Sequence, residues 1–564
     1  MSIQRRFAAL VLSAFAATAS LAFADDQGEH SQGHHILLVS IDGMHALDFQ
    51  NCVANGTCPN LTALSATGIN YKRTSTSKPS DSFPGLMAIV TGGTPKLVGA
   101  YYDVAYDRVL APPAADTGNG LSHGTCVAGQ VNGTRTEYEE GVEIDQTKLN
   151  GGSPQYGLTD GGIKSIDPNK LPRDPFNGCT PVYPWNFIRA NTIFGVIHAA
   201  GGYTAWSDKH AVYAAVSGPT GSSQPSNVDD YYSPEVNSAP IVLTGVKTAS
   251  GVDCTQVNVS AADWTSDFDD IKCYDQLKVN AVLNWIDGKT HLGSGPAKVP
   301  SIFGMNFQAV SVGQKLIENG VKGGYTDAAG TPTPSMLGEI QFVDGAIGQF
   351  VRELKKQHLY DSTTIIITAK HGQSPVDTHR FFPIPGHSGN NGTPPSTLLG
   401  PNFLPDSELN QIGPTEDDIS LLWLNPSAST LDAVTVLENN ATAGGIGQIL
   451  YGPSLKTTFD TPGLPAQGGD PRTPDIIVVP NAGVVYTGST KKQSEHGGFA
   501  IDDTNVMLLI SNPSIHPRTV TAFVETTQVA PTVLKLLGLD PARLDAVRKE
   551  GTAVLPGLNG SDRD

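Results

Sequence analysis

Four short stretches carry residue types that could act together chemically. In Ser40-Ile41-Asp42-Gly43-Met44 a carboxylate follows an apolar run, and such a group can bind a divalent cation through oxygen. In Lys78-Pro79-Ser80-Asp81-Ser82-Phe83-Pro84-Gly85 a hydroxyl, Ser82, precedes the apolar stretch 86–92, which reads as a helix opening near Pro84. A helix N-terminus offers free N–H groups and a positive dipole end to an oxyanion or phosphate. A serine there becomes a nucleophile only when a base or a metal activates it. Thr368-Ala369-Lys370-His371-Gly372-Gln373 offers His371 as a metal ligand and Lys370 as a cation for a bound anion. In Ser494-Glu495-His496-Gly497-Gly498 a histidine stands between an acid and two glycines, which let other groups come close. Each stretch alone also has a plainer reading: a turn after a strand, a helix N-cap, a structural histidine with an exposed lysine.

These stretches sit at the ends of recognisable elements. Residues 36–41 are apolar and β-branched and predict a buried parallel strand that ends at Asp42. Similar runs predict strands at 202–206, 302–307, 363–368, 475–479 and 505–510. Helical periodicity marks 277–286, 337–354 and 527–537. Strands alternating with helices predict an α/β fold, a doubly wound, mostly parallel sheet with helices on both faces. Ligands gather at the carboxyl ends of strands in such sheets, where Asp42 and His371 fall. Three stretches rich in turn residues, 102–185, 215–275 and 380–470, read as loop-rich insertions that shape or cover a pocket. Trp206-Ser207-Asp208-Lys209-His210 closes a predicted strand and is a further pocket candidate, with a surface ion pair as the alternative.

Composition narrows the partners. A net charge of −18 lacks the clustered Lys and Arg that a nucleic-acid-binding surface needs. Arg5 and Arg6 followed by the Ala-rich apolar run 7–22 and Ala22-Phe23-Ala24 predict a signal peptide over 1–24. A polar linker (25–35), a main domain (36–545) and a C-terminal tail (546–564) would follow, with no membrane span and a secreted or periplasmic destination. The 6 cysteines make no C-x-x-C pair, and in an exported chain they point to disulfides. Cys52 with Cys58 and Cys254 with Cys273 are the local pairings, among the fifteen arrangements that six cysteines allow.

The order of the four stretches resembles the alkaline phosphatase superfamily, in particular its type I phosphodiesterase and nucleotide pyrophosphatase branch. Asp42 is similar to that branch's metal-binding Asp after the first strand. Ser82-Phe83-Pro84 with Ile89-Val90-Thr91-Gly92 resembles its nucleophile motif, the most specific of the matches. Ala369-Lys370-His371-Gly372 is similar to its Ser-Asp-His-Gly motif, His496-Gly497 to its final His-Gly, and Ala530-Pro531-Thr532-Val533-Leu534 to its last helix. The likeness spans residues 35–540, insertions aside. Two departures stand out. Lys370 occupies the place of an Asp, and the stretch 303–312 holds no Asp and His four residues apart, with Asn306 or Gln308 in the Asp's place.

The resemblance implies an exported, metal-dependent hydrolase of small phosphate esters, of the diester kind, acting through a Ser82 phospho-enzyme intermediate. It implies a divalent metal on Asp42, Ser82, His371 and His496, zinc first, with calcium or manganese as alternatives. The departures favour one ion over two, with Lys370 supplying the missing charge and Asn306 helping to hold the equatorial oxygens. A sulfate or phosphonate ester hydrolase on the same site, and an exported binding protein without catalysis, are the competing readings.

Overall fold

Strict alternation along the first strand organises the molecule. Leu37, Val39 and Ile41 pack into one hydrophobic core, Ile36 and Leu38 into another. A strand buried on both faces in this way requires a helical layer on each side. The computed structural model describes residues 34–117, 120–138, 143–145, 162–385, 392–405, 415–456 and 458–558. The leader over 1–24 lies outside the described residues.

In chain order the strands that matter are β1 (His35–Ile41), β2 (Gly68–Ser75), β3 (Ala205–Ser207), β4 (Asp230–Tyr232), β5 (Ile302–Phe307) and β6 (Thr363–Thr368). They continue with β7 (Thr415–Glu416), β8 (Ser420–Leu422), β9 (Ile446–Tyr451), β10 (Ile476–Pro480), β11 (Asn505–Ser511) and β12 (Arg518–Glu525). The main sheet has 8 strands in the order β12-β2-β11-β6-β1-β5-β3-β4. β11 runs antiparallel to both of its neighbours, and the other neighbouring pairs are parallel. One face carries α1 (Ala46–Ala54), α4 (Phe268–Ile286), α5 (Ala309–Lys315) and α6 (Pro334–Lys356). The other carries α2 (Ser82–Thr91), α3 (Ile193–Ala199) and α8 (Val529–Leu536). This is the doubly wound, mostly parallel α/β sheet expected from the sequence.

Four details differ from expectation. The run at 475–479 does form a strand, β10, but it belongs to a separate 4-stranded sheet, β7-β8-β10-β9, antiparallel throughout. That sheet lies within the insertion predicted at 380–470 and runs on to Pro480, with α7 (Thr430–Asn439) packed on it. An apolar run announces a buried strand without saying which sheet buries it. Second, β2 and β12 carry exposed polar residues such as Lys72, Arg73 and Thr519, and so lack a continuous apolar signature. They pair in parallel with each other at the sheet's end. Third, the short β4 also went unpredicted; pairing with β3 makes it a strand. Fourth, the segment read as a tail from 546 onward carries most of α9 (Asp545–Glu550) and buries Leu555 in the core, because that apolar side chain covers the end of α8's face.

Three disulfides form: Cys52–Cys58, Cys254–Cys273 and, across the first insertion, Cys126–Cys179. The two short pairings match the local expectation. Among the described residues no helix is long and apolar enough to cross a membrane.

Candidate active site

The parallel strands β1, β3, β5 and β6 end at one edge of the sheet, and each delivers a polar residue there. Asp42 follows β1, Asp208 and Lys209 follow β3, Asn306 lies near the end of β5 with Gln308 just beyond it, and Lys370 and His371 follow β6. The strand ends are stitched together by backbone bonds. Asp42 N–H donates to the Phe307 carbonyl (3.0 Å) and Gly43 N–H to the His371 carbonyl (3.1 Å). Gly43 takes φ +80°, a conformation that favours glycine and lets the chain turn away directly after Asp42.

Ser82 comes from the other side, as the first residue of α2. The cap of that helix is Asp81, whose carboxylate accepts from Phe83 N–H at 3.1 Å. The plainer reading of Ser82 as a cap therefore falls to its neighbour, and the Ser82 hydroxyl is left for other partners. Every residue of α2 is buried. The helix packs so closely on the end of β6 that Gly85 lies against the Lys370 carbonyl, where a larger residue has no room.

Ser82 has a histidine and an ammonium group within hydrogen-bond reach. Ser82 Oγ lies 3.2 Å from His371 Nε2. His371 Nδ1 lies 2.7 Å from the Gly372 carbonyl, which only accepts, so Nδ1 carries a proton and Nε2 is the nitrogen that faces the serine. Lys209 Nζ donates to the same Ser82 oxygen at 3.1 Å. A hydroxyl beside an imidazole is an arrangement that can activate a serine.

Asp42 is the electrostatic hub. Its Oδ2 accepts from Gln308 Nε2 at 2.6 Å and Asn306 Nδ2 at 3.1 Å. Lys209 Nζ and Lys370 Nζ each lie 4.0 Å from that oxygen, and His371 Nε2 lies 3.7 Å away. Burial opposes ionisation, but Lys370, His371 and Lys209 outweigh it and hold the carboxyl well below the ordinary range. Lys370 is itself fixed by Asp208 Oδ1 at 2.8 Å and lies over the Tyr213 ring at 4.0 Å from its centroid. Asp208 is set in turn by Trp206 Nε1 at 3.0 Å. His496 stacks near His371, with ring centroids 3.9 Å apart, and its Nδ1 lies 3.6 Å from Asp81 Oδ1. Burial, then His371, Lys315 and Lys209, push its pKa well below the ordinary value and keep it neutral.

The structure therefore brings Asp42, Ser82, Asn306, Lys370, His371 and His496 to one place. One N–H of the Asn306 amide donates to Asp42, so this side chain also positions that carboxylate. Lys209 emerges only from the structure as a contact of Ser82, although its segment was legible as a charged cluster at a strand end. A second group that sequence did not reveal is the buried pair of Asp275 and Lys278 on α4. Asp275 accepts from the backbone N–H groups of Gln308 and Ala309 (2.7 and 2.8 Å), and Lys278 Nζ donates to the Asn306 carbonyl at 2.5 Å. The pair fixes the turn after β5, yet its spacing on a helix carries no signal beyond an ordinary ion pair.

A cavity of about 340 Å³ opens beside these groups, lined among others by Lys209, Gln308, Lys315, Glu495 and His496. Lys209 is 6 % exposed and Ser82 0 %, so the cavity reaches the lysine and the lysine covers the serine.

The family is normally dependent on divalent metals. Asp42 Oδ1 is a buried oxygen with no hydrogen-bond partner, which is the feature that favours a cation. The rest of the donor set does not fit one. Among the described residues Asp42 is the carboxylate paired with His371, its other oxygen is held by two amides, and two ammonium groups stand 4.0 Å away, one of them on Ser82. Zinc in catalytic sites takes three protein ligands as a rule. Among the described residues no group of three His, Cys, Asp or Glu is arranged to hold a metal. The residues expected from the sequence as ligands, Asp42, Ser82, His371 and His496, lie in one neighbourhood, with lysines among them.

Comparisons with known proteins bear on the same residues. Among solved structures, murine ectonucleotide pyrophosphatase/phosphodiesterase 5 aligns with a TM-score of 0.48 at 13 % identity, over 90 % of this chain and 96 % of that one. The human protein of the same name aligns with a TM-score of 0.47 at 12 % identity, over 90 % of this chain and 95 % of that one. No curated protein sequence matches the chain. The sequence model described as type I phosphodiesterase / nucleotide pyrophosphatase matches residues 36–130 and 190–500, well over half of the chain and all of the residues gathered around Ser82. The chain belongs to the type I phosphodiesterase / nucleotide pyrophosphatase family and is a hydrolase acting on phosphate ester bonds.

Proposed function

We propose that the protein hydrolyses phosphodiesters of small molecules through a covalent Ser82 phospho-enzyme intermediate. The observation that carries this reading is the position of Ser82 Oγ, 3.2 Å from His371 Nε2 and 3.1 Å from Lys209 Nζ. Lys209 swings its flexible stem off the serine into the adjoining cavity, and a substrate phosphoryl group takes its place above Ser82. The Ser82 hydroxyl proton passes to His371 Nε2 as Oγ forms a bond to phosphorus. The bond from phosphorus to the opposite ester oxygen breaks, and that oxygen leaves with the bonding pair. Asp42 steadies the imidazolium that forms. In the second half, water attacks phosphorus from the vacated side, neutral His496 takes its proton, and the Ser82–phosphorus bond breaks. Ser82 Oγ recovers its proton from His371. The α2 N-terminus and the two ammonium groups face the negative charge that builds on the phosphoryl oxygens.

The leaving group would lie in the cavity along Lys315, Glu495 and His496. A protein with three disulfides is suited to an oxidising compartment, which supports export. The test is turnover of bis-p-nitrophenyl phosphate by wild type and Ser82→Ala, with p-nitrophenyl phosphate and p-nitrophenyl sulfate alongside. The expected result is a preference for the diester and a loss of at least about 10³-fold in Ser82→Ala with an unchanged circular dichroism spectrum. Undiminished turnover in that variant overturns the assignment.

A further inference from the structure

The site of a family that is normally metal-dependent here contains two ammonium groups, and each is built in rather than incidental. Lys370 stands where the family motif has an acidic residue, so the local charge at that position is reversed. It is fully buried, paired to Asp208 at 2.8 Å and seated on the Tyr213 ring. Asp208 is itself held by the Trp206 indole and by the Lys209 backbone N–H at 2.9 Å. Lys209 extends from the next residue, lines the cavity and touches Ser82 Oγ. Both ammonium nitrogens lie 4.0 Å from Asp42 Oδ2, so the carboxylate that would hold a metal is already flanked by positive charge on two sides. A divalent cation entering between them would meet repulsion from both, whereas a phosphoryl group would meet two cations and a helix N-terminus.

We propose that Lys209 and Lys370 together replace the metal of this site: they bind the phosphoryl group without any divalent ion, Lys209 by direct contact and Lys370 from beneath. Lys209 is then a catalytic residue, because its ammonium stays with the anion once it has left the serine. Lys370 supplies fixed charge and Asp208 positions it. The inference rests on the reading of Ser82 as the group that accepts phosphorus, but binding tests it separately from turnover.

The experiment titrates inorganic phosphate and orthovanadate, by calorimetry, into the folded full-length protein after chelation, with elemental analysis to confirm that no metal remains. Wild type is expected to bind both anions with affinities that added zinc leaves unchanged. Lys209→Met is expected to weaken binding about 10-fold to 100-fold, the loss of one charged hydrogen bond, with Lys209→Arg recovering part of it. Lys370→Met leaves Asp208 buried without its cation, and its fold is checked by melting. If it does not fold, the Lys209 pair of variants decides the question alone. Stoichiometric zinc retained on purification together with anion binding that vanishes on chelation would overturn the proposal, as would wild-type affinity in Lys209→Met. Ser82→Ala is expected to keep phosphate binding. Metal-free anion binding that depends on Lys209, in a protein that turns over no diester, supports the lysine site while removing the hydrolase reading above it.

Discussion

Gly85 offers a sharp test of how Ser82 is positioned, because simple helix propensity predicts the opposite of what the packing predicts. In an isolated helix Gly→Ala gains about 1 kcal/mol. At Gly85 a Cβ would stand 2.8 Å from the Lys370 carbonyl carbon and 3.1 Å from its Cα, and closer still to the carbonyl oxygen. Ordinary contact needs roughly 3.5 Å, so α2 must withdraw by about 1 Å from the end of β6. The Lys370 carbonyl cannot yield easily, because the Thr76 hydroxyl is bonded to it. Overpacking of this kind costs about 1–3 kcal/mol, which exceeds the propensity gain. Ser82 lies one turn before Gly85 on the same helix and moves with it. Its 3.2 Å contact with His371 then opens beyond hydrogen-bond range, a misplacement that costs about 10²-fold in rate. Gly338 is the control: it lies within α6 at an ordinary φ, and a Cβ there meets nothing within 4 Å. The same substitution at that position is expected to stabilise by about 0.5–1 kcal/mol with turnover unchanged. Thermal melts and kcat/KM on bis-p-nitrophenyl phosphate read both effects. A Gly85→Ala protein that melts higher than wild type and keeps full turnover would refute the close-packing account of the site.

Three further outcomes are expected. Asp275→Ala removes the partner of buried Lys278, 2.9 Å away, and the acceptor for two backbone N–H groups at the start of α5. A loss of about 3–5 kcal/mol in urea unfolding is expected, and a change under 1 kcal/mol would show that Lys278 is neutral or resolvated. Replacing Cys126 and Cys179 with alanine frees a 53-residue loop, for which chain entropy predicts about 4 kcal/mol of lost stability; an unchanged melt would mean that the insertion is held by its packing alone. Burial opposes the charge on His45, but Asp48, 2.8 Å from Nδ1, outweighs it and raises the pKa from 6.5 to about 9. The folded state therefore binds the proton more tightly. That contribution, about 3 kcal/mol, is complete below pH 6.5 and is lost as pH rises through 9. Stability curves of wild type and His45→Gln should converge with rising pH over that window, and parallel curves would remove His45 as the cause.

Much of this protein could be read along the chain. β1, β5 and β6 are buried on both faces, so their runs are mostly apolar or β-branched, with Asp42, Asn306 and Lys370 at or near their ends. Local sequence suffices to mark such strands and the polar residues at their ends. The Ser82 motif was legible for the same reason: an all-buried helix beginning beside a hydroxyl leaves an apolar run with a conspicuous start. The sequence also exposed the loss of acidic ligands, since Lys370 and the stretch around Asn306 and Gln308 depart from the family pattern in residue type. What remained hidden depends on contacts between distant segments. Membership of β10 in a second sheet, and of β2 and β12 in the main one, is decided by which strand pairs with which, and backbone hydrogen bonding leaves no mark on side-chain type. Lys209 is separated from Ser82 by 127 positions and from Asp42 by more, and nothing in Asp208-Lys209-His210 distinguishes a surface ion pair from an ammonium resting on a buried serine. Only the folding of β3 beside β5, with α2 pressed against the end of β6, brings that charge to the serine, because electrostatic force acts through space and not along the chain.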